Sequence, residues 1–186
     1  VVWSEGIHNI SVWANDSAGN MNGTYVTFSV DTIAPSVRII SPLNQTYKQP
    51  ILFNFTLNER GSCQYTLNLG VTNYTMTANS SLSEFTATNN SITDGGYRVF
   101  AYCNDTLGNS NYTENISFTV DNTNPNIQIV FPTNNTNTTD IQIDVNYTVY
   151  DANGLSRCWY TNNSGLTNNT ITCGQNITTV TWIEGI

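Results

Sequence analysis

Polar and apolar residues alternate along this chain in short runs. In Ile51-Leu52-Phe53-Asn54-Phe55-Thr56-Leu57, positions 51, 53, 55 and 57 are apolar. A strand turns alternate side chains to opposite faces, so these four share one side and Asn54 points to the other. Ile141, Ile143, Val145, Tyr147 and Val149 alternate in the same way, with Asn146 on the polar face. Runs of this kind predict strands near 36–41, 51–57, 63–68, 73–77, 83–88, 97–103 and 114–120. Gly61, Gly70, Gly95-Gly96 and the stretch from Asn104 to Asn109 punctuate them. No segment carries a 3.6-residue apolar period. Seven short strands within 33–121 predict an all-β fold, a seven-stranded antiparallel β-sandwich.

The pattern recurs. Gly6-Ile7-His8-Asn9-Ile10-Ser11-Val12-Trp13-Ala14-Asn15-Asp16-Ser17-Ala18-Gly19-Asn20 runs on to Phe28-Ser29-Val30-Asp31. Its counterpart runs from Gly95 through Tyr97-Arg98-Val99-Phe100-Ala101-Tyr102-Cys103-Asn104-Asp105 to Asn109, and on to Phe118-Thr119-Val120-Asp121. Pro35 and Pro125 follow the two copies, each before a short apolar strand. Such self-similarity predicts a tandem array of one small domain. Residues 1–32 read as the last strands of a sandwich, 33–121 as a complete one, and 122–186 as the early strands of another. His8, Ile10, Val12 and Ala14 are expected to face inward, as are Tyr97, Val99, Ala101 and Cys103. Val2-Trp3-Ser4-Glu5-Gly6-Ile7 also resembles Thr181-Trp182-Ile183-Glu184-Gly185-Ile186, a spacing of 179 residues. The expectation is that 1–32 completes the 122–186 domain of a neighbouring unit, head to tail. One continuous chain is favoured over separate docked chains, since the duplicated ends would compete for one slot.

Cysteine positions change in step between repeats. Cys158 matches Cys63, but the counterpart of Cys103 is Ala14, and Cys173 appears instead. An unpaired thiol is a liability, so this exchange predicts disulfides Cys63–Cys103 and Cys158–Cys173 and an oxidising, extracellular or cell-surface location. A zinc site would need tightly spaced Cys/His pairs, which the lone His8 does not supply.

Charge is sparse, at 10% of residues with a net −8, and Lys48 is the sole lysine. That excludes nucleic acid as a partner, which needs clustered cations. No apolar stretch is long enough to span a membrane. Low charge endangers solubility, and sugar is expected to compensate. The chain holds 17 Asn-X-Ser/Thr sequons, at Asn9, Asn15, Asn22, Asn44, Asn54, Asn73, Asn79, Asn89, Asn104, Asn111, Asn115, Asn134, Asn137, Asn146, Asn162, Asn168 and Asn176. A random arrangement of this composition would give about 7. The excess predicts N-linked glycans, with Asn9, Asn54, Asn104 and Asn146 the favoured strand sites.

Val30-Asp31-Thr32-Ile33-Ala34-Pro35-Ser36-Val37-Arg38-Ile39-Ile40-Ser41-Pro42, preceded by Trp13-Ala14-Asn15-Asp16-Ser17-Ala18-Gly19-Asn20, resembles the tandem Ig-like domains of bacterial and archaeal surface proteins. Asp121-Asn122-Thr123-Asn124-Pro125 and Asp151-Ala152-Asn153-Gly154 fit the same pattern, so the resemblance covers essentially the whole chain. It implies adhesins, stalks, surface coats or spacers on secreted enzymes. The Asn/Thr richness looks most like an archaeal surface protein. Some related arrays bind calcium at domain junctions, which makes Asp16, Asp31, Asp105, Asp121 and Asp151 the calcium ligands to consider. Asp before Ser/Thr and Gly-Asn is also an ordinary turn, in which the carboxylate bonds its own backbone. Turn chemistry is the favoured reading, and no cofactor is expected. A Ser-His-Asp arrangement would have to use His8 on a structural strand, and a Lys–Asn crosslink would have to use Lys48 in a polar turn. No catalytic residue is expected. The function expected is a structural repeat unit of an extracellular filament, stalk or coat whose partners are copies of itself. The alternatives are a ligand-binding adhesin array and a spacer of a secreted enzyme.

Overall fold

A computed structural model describes residues 1–162, 165–178 and 180. Its strands in chain order are β1 (Gly6–Asn15), β2 (Met21–Val30), β3 (Val37–Ser41), β4 (Thr46–Tyr47), β5 (Ile51–Leu57), β6 (Gly61–Thr66), β7 (Tyr74–Thr75) and β8 (Thr77–Ala78). They continue with β9 (Glu84–Asn89), β10 (Gly95–Asp105), β11 (Ser110–Asn111), β12 (Asn115–Val120), β13 (Asn126–Phe131), β14 (Asn146–Tyr150), β15 (Cys158–Tyr160) and β16 (Asn169–Ile171). The chain divides into two compact units between Asn122 and Thr123. The last residues, 181–186, lie outside the described part, and with them most of the second copy of the duplicated end segment.

Residues 33–121 form the sandwich. One sheet has the order β3-β5-β9-β8, and the other the order β4-β12-β10-β6-β7, with β11 paired to β10. Alternation in β5 sends Ile51, Phe53, Phe55 and Leu57 inward, where the first three are 0% exposed. From the opposite sheet Tyr65, Val99, Ala101, Phe118 and Val120 close the core. At roughly 1.5–3 kcal/mol for each fully buried large apolar side chain, these contacts are the main source of the sandwich's stability. Phe53 stacks on Tyr65 at 3.9 Å and meets Phe118 edge-on at 6.1 Å, ring geometries that add to the area term. Six of the seven expected strands appear within two residues of their expected bounds, and the one expected at 73–77 is split into β7 and β8. Two short elements are additional. β11 continues the β10 pairing, and β4 runs parallel to β12, with Thr46 opposite Thr119 and Tyr47 opposite Val120.

β1 and β2 form a two-stranded antiparallel hairpin. Its register repeats that of β10 and β12: Gly6 faces Val30 as Gly95 faces Val120, and His8 faces Phe28 as Tyr97 faces Phe118. The turns match as well. Asp16 N–H donates to Asn20 O at 3.0 Å, and Asp105 N–H donates to Asn109 O at 3.1 Å. Gly19 and Gly108 take φ of +88° and +96° there, a left-handed conformation that a side chain disfavours.

The second unit holds two two-stranded sheets, β13-β14 and β15-β16, and a bridge between Val145 and Ile177. β13 and β14 repeat β3 and β5. Ile127 faces Val149 as Val37 faces Leu57, and the pairing slips between Ile129 and Phe131 as it does between Ile39 and Ser41. The bonds Ser41-Pro42 and Phe131-Pro132 are both cis.

Candidate functional site

Cys63 is bonded to Cys103 and Cys158 to Cys173, and no free cysteine remains. Cys63 and Cys103 lie directly opposite each other on β6 and β10, with Cα atoms 4.2 Å apart. That short separation belongs to a non-hydrogen-bonded antiparallel pair, where side chains come closest.

The Asp-containing turns use their carboxylates internally. Asp16 Oδ1 accepts from the N–H groups of Ala18 and Asn20, and Oδ2 accepts from Asn20 Nδ2. Those bonds, led by the Asn20 side chain, hold the Asp16 carboxyl below its ordinary value. Asp105 Oδ1 accepts from Leu107, Gly108 and Asn109 N–H, and its Oδ2 from Asn109 Nδ2. Burial of Asp105 works against its ionisation. The hydrogen bonds from Asn109, Leu107 and Gly108 outweigh it and lower the pKa. Asp31 Oδ1 accepts from Ile33 N–H and Asp151 Oδ1 from Asn153 N–H. At the far end of the sandwich, Asp121 N–H donates to Tyr47 O.

The structure also brings Asp31 and Asp105 to Glu59, with carboxylate oxygens of all three within 4.8 Å of one another. Glu59, on the turn between β5 and β6, has no counterpart in the Asp repeat, which is why the pattern did not reveal it. Burial, then Asp31 and Asp105, raise its pKa. A hard cation takes several free oxygen ligands. Here the Asp105 oxygens are already taken by four hydrogen bonds, and Asn109 Nδ2 also donates to Asp31 O at 3.1 Å. Asn109 and Asn111 therefore fasten the 31–35 linker to the sandwich, Asn111 Nδ2 donating to Pro35 O at 2.9 Å.

None of the 17 sequon asparagines is buried, and 12 are exposed. The other five, Asn54, Asn89, Asn104, Asn111 and Asn146, are half-buried. Among the favoured strand sites, Asn9 is exposed. Asn54 Nδ2 donates to Glu84 at 3.3 Å, while its Oδ1 is buried without a partner among the described residues. Asn104 Nδ2 donates to Asp105 O. Alternation placed these two side chains on an outward face, but cross-strand neighbours partly cover them there.

The hairpin and the second unit share one anomaly: inward positions that are bare. Val12 is 62% exposed, where its counterpart Ala101 is 0% exposed. Ile10 is 39% exposed against 0% for Val99. Only the base of the hairpin is covered, by Trp3 against Phe28 and His8 at ring distances of 5.0 and 5.1 Å. His8 Nε2 lies 2.6 Å from Ser4 O, so this histidine serves the local packing. On the other face Trp13 lies flat over Gly23, where a Cβ would come within 2.3 Å of the ring. In the second unit Ile127 is 63% exposed, where its counterpart Val37 is 7% exposed. A groove of about 490 Å³ opens there, walled by Ile127, Ile129, Tyr147, Val149, Trp159 and Ile171 among others. Contiguous apolar surface of this kind marks an interaction site.

No family model and no curated protein matches the chain. Solved structures do resemble it. Fibronectin(III)-like modules of Clostridium thermocellum CbhA are 18% identical, cover 66% of this chain and 66% of theirs, and give a TM-score of 0.39. A tetra-tandem repeat from the extending region of a large adhesion protein is 19% identical, with a TM-score of 0.40. There the match covers 96% of this chain, which spans 48% of that structure's length. The chicken CNTN1 FN1–FN3 domains are 8% identical, at a TM-score of 0.33, over 94% of this chain and 66% of theirs. The chain is an all-β protein with a two-sheet sandwich over 33–121, and no helix of its described residues is long and apolar enough to cross a membrane.

Proposed function

We propose that this chain is a structural repeat unit of an extracellular, glycosylated filament, stalk or surface coat, with no catalytic role, whose units join head to tail. The β1–β2 hairpin of one unit completes the second-unit sandwich of its neighbour. The observation that carries this reading is the pair of bare faces at matching repeat positions. The hairpin has the sequence, register and turn of β10–β12, and the second unit carries the counterparts of β3, β5 and β6, against which β10 and β12 pack in the complete sandwich.

The complete sandwich supplies the register of the joint. Cys103, Tyr102 and Ala101 face Cys63, Gln64 and Tyr65. By repeat equivalence, Ala14, Trp13 and Val12 of one unit face Cys158, Trp159 and Tyr160 of the next. Trp13 and Trp159, 67% and 54% exposed in the single chain, become cross-strand neighbours. Ile10 and Val12 cover Ile127, Tyr147 and the rest of the groove, and each large apolar side chain so buried contributes roughly 1.5–3 kcal/mol. The contact is heterologous, so it propagates rather than closing unless its rotation permits a ring. Two disulfides and the dense sequons support an extracellular site for such an assembly.

Sedimentation velocity over a concentration series tests the reading. The 186-residue chain by itself is expected to form progressively longer species through the same joint that a continuous chain makes between its successive repeats, and Val12→Asp, at an exposed position of the single chain, is expected to remain monomeric. A wild-type chain that stays monomeric at high concentration, or an aspartate variant that assembles equally well, refutes it.

A further inference from the structure

The sandwich carries a second surface feature, a groove beside β7 and β9. Phe53, Tyr65 and Tyr74 form a three-ring stack that runs from core to surface. Phe53 and Tyr65 are 3.9 Å apart at 12°, and Tyr65 and Tyr74 are 4.9 Å apart at 18°. Phe53 is 0% and Tyr65 2% exposed, whereas Tyr74 is 40% exposed. The outermost ring is thus held flat against an immobile core, with its remaining surface open. It stands in a groove of about 550 Å³ between β7 and the end of β9. Asn73, Thr75, Thr88, Asn89 and Asn90 line the same groove, and no charged residue does.

These polar groups fall into two sets. Asn89 is fixed: its Nδ2 donates to Tyr65 Oη at 3.1 Å and its Oδ1 accepts from Ser91 N–H at 2.9 Å. The side chains of Asn73, Thr75, Thr88 and Asn90 make no hydrogen bond among the described residues. A backed aromatic ring beside free amides and hydroxyls suits a ligand with one apolar face and a polar rim. A neutral pyranose has that form. Its axial C–H face covers the ring, and its hydroxyls both donate to and accept from amides. An anion or cation would find no counter-charge here, and a purely apolar ligand would leave the free amides unpaired, which costs free energy.

We propose that this groove is a binding site for neutral saccharide, with Tyr74 as the platform and Asn73 and Asn90 as hydroxyl-reading groups. Two sources of that chemistry exist, a free oligosaccharide and a glycan attached at the sequons Asn73 or Asn89. The test uses the full chain made under oxidising conditions in a host without N-glycosylation. It is titrated with neutral glucose-, mannose-, galactose- and N-acetylhexosamine-based oligosaccharides by calorimetry and ligand-observed NMR. Saturable binding of at least one series is expected. Tyr74→Ala should weaken it about tenfold, Asn90→Ala should also weaken it, and Tyr74→Phe, which keeps the ring, should largely retain it. Tyr150→Ala removes an exposed tyrosine of the second unit, which does not line the groove, and should leave binding unchanged. Hydrogen exchange of β6 and β9 verifies that each variant stays folded. In chain made with glycans at Asn73 or Asn89, loss of free-sugar binding that returns on deglycosylation identifies the attached glycan as the occupant. Retained binding identifies a free ligand. Absence of any neutral-saccharide binding to the unglycosylated chain, or binding that survives Tyr74→Ala in a folded protein, overturns the proposal.

Discussion

Replacing Cys63 and Cys103 together by alanine removes the crosslink between β6 and β10 without touching the paired backbones. The two residues are 40 apart in sequence. On the chain-entropy account, closing a loop of that size in the unfolded state is worth about 4 kcal/mol, against about 3 kcal/mol for the shorter Cys158–Cys173 loop. A domain of this size holds roughly 5–15 kcal/mol in all. The double variant should therefore still fold, on a much thinner margin. No tryptophan lies in 33–121, so fluorescence reports poorly on this sandwich. Native-state hydrogen exchange read by mass spectrometry resolves it directly. Slow amides of β6 and β10 should exchange roughly a thousandfold faster in the variant, the conversion of about 4 kcal/mol at a factor of ten per 1.4 kcal/mol. Peptides from β14 and β15 should be unchanged. Acceleration of less than about tenfold, well under that loop term, would refute the reasoning. Residual structure in the unfolded chain would then already remove most of the entropy that the crosslink is meant to remove.

Gly61→Ala should destabilise the sandwich by about 1–3 kcal/mol in urea unfolding followed by circular dichroism, as overpacking does. A Cβ at that position meets the Asn104 carbonyl oxygen at 2.1 Å, and a backbone atom cannot swing aside. An unchanged midpoint would contradict this. Glu59→Gln should raise the Tm near neutral pH. The folded-state pKa of Glu59 lies above its ordinary value of 4.5, so its contribution is favourable below that value and is lost as pH rises through the raised one. The gain should vanish below about pH 4, where the wild-type carboxyl is protonated in both states. A gain that persists in acid would show that charge among Asp31, Glu59 and Asp105 is not the cause.

The strand alternation made the sandwich readable because its core is built from period-two runs such as Ile51–Leu57. The exchange of Cys103 for Ala14 and Cys173 made the pairing readable for the same reason that repeats are informative: one copy serves as a control for the other. Other features had no such signal. β4 is two residues long and pairs in parallel with β12, so neither alternation nor a hairpin turn marks it. Glu59 joins Asp31 and Asp105 only because the β5–β6 turn and the linker meet at one end of the sandwich. The Phe53–Tyr65–Tyr74 stack draws on three strands, and its rings are adjacent only after both sheets have formed. The inward phase of β1 was legible, but what covers it was not, since covering strands are a property of packing. Of the favoured glycan sites, Asn9 is exposed along with every other residue of β1 except His8, so its exposure does not depend on strand phase. Asn54 and Asn104 are half-buried, because Glu84 and the local backbone engage their amides.

The head-to-tail joint is open to one direct measurement. In the variant Ala14→Cys with Cys173→Ala, the Cys158 thiol is released from its present partner and residue 14 gains a thiol at the position equivalent to Cys103. If the hairpin of one unit docks beside β15 of the next in the β10–β6 register, oxidation recreates the Cys63–Cys103 link between copies. Non-reducing electrophoresis should then show a ladder of covalent multimers that reduction collapses, and peptide mapping should find residue 14 joined to residue 158 of another copy, demonstrable by mixing isotopically labelled and unlabelled chains. Chains that remain monomeric, or a 14–158 link confined to single chains, would contradict the account.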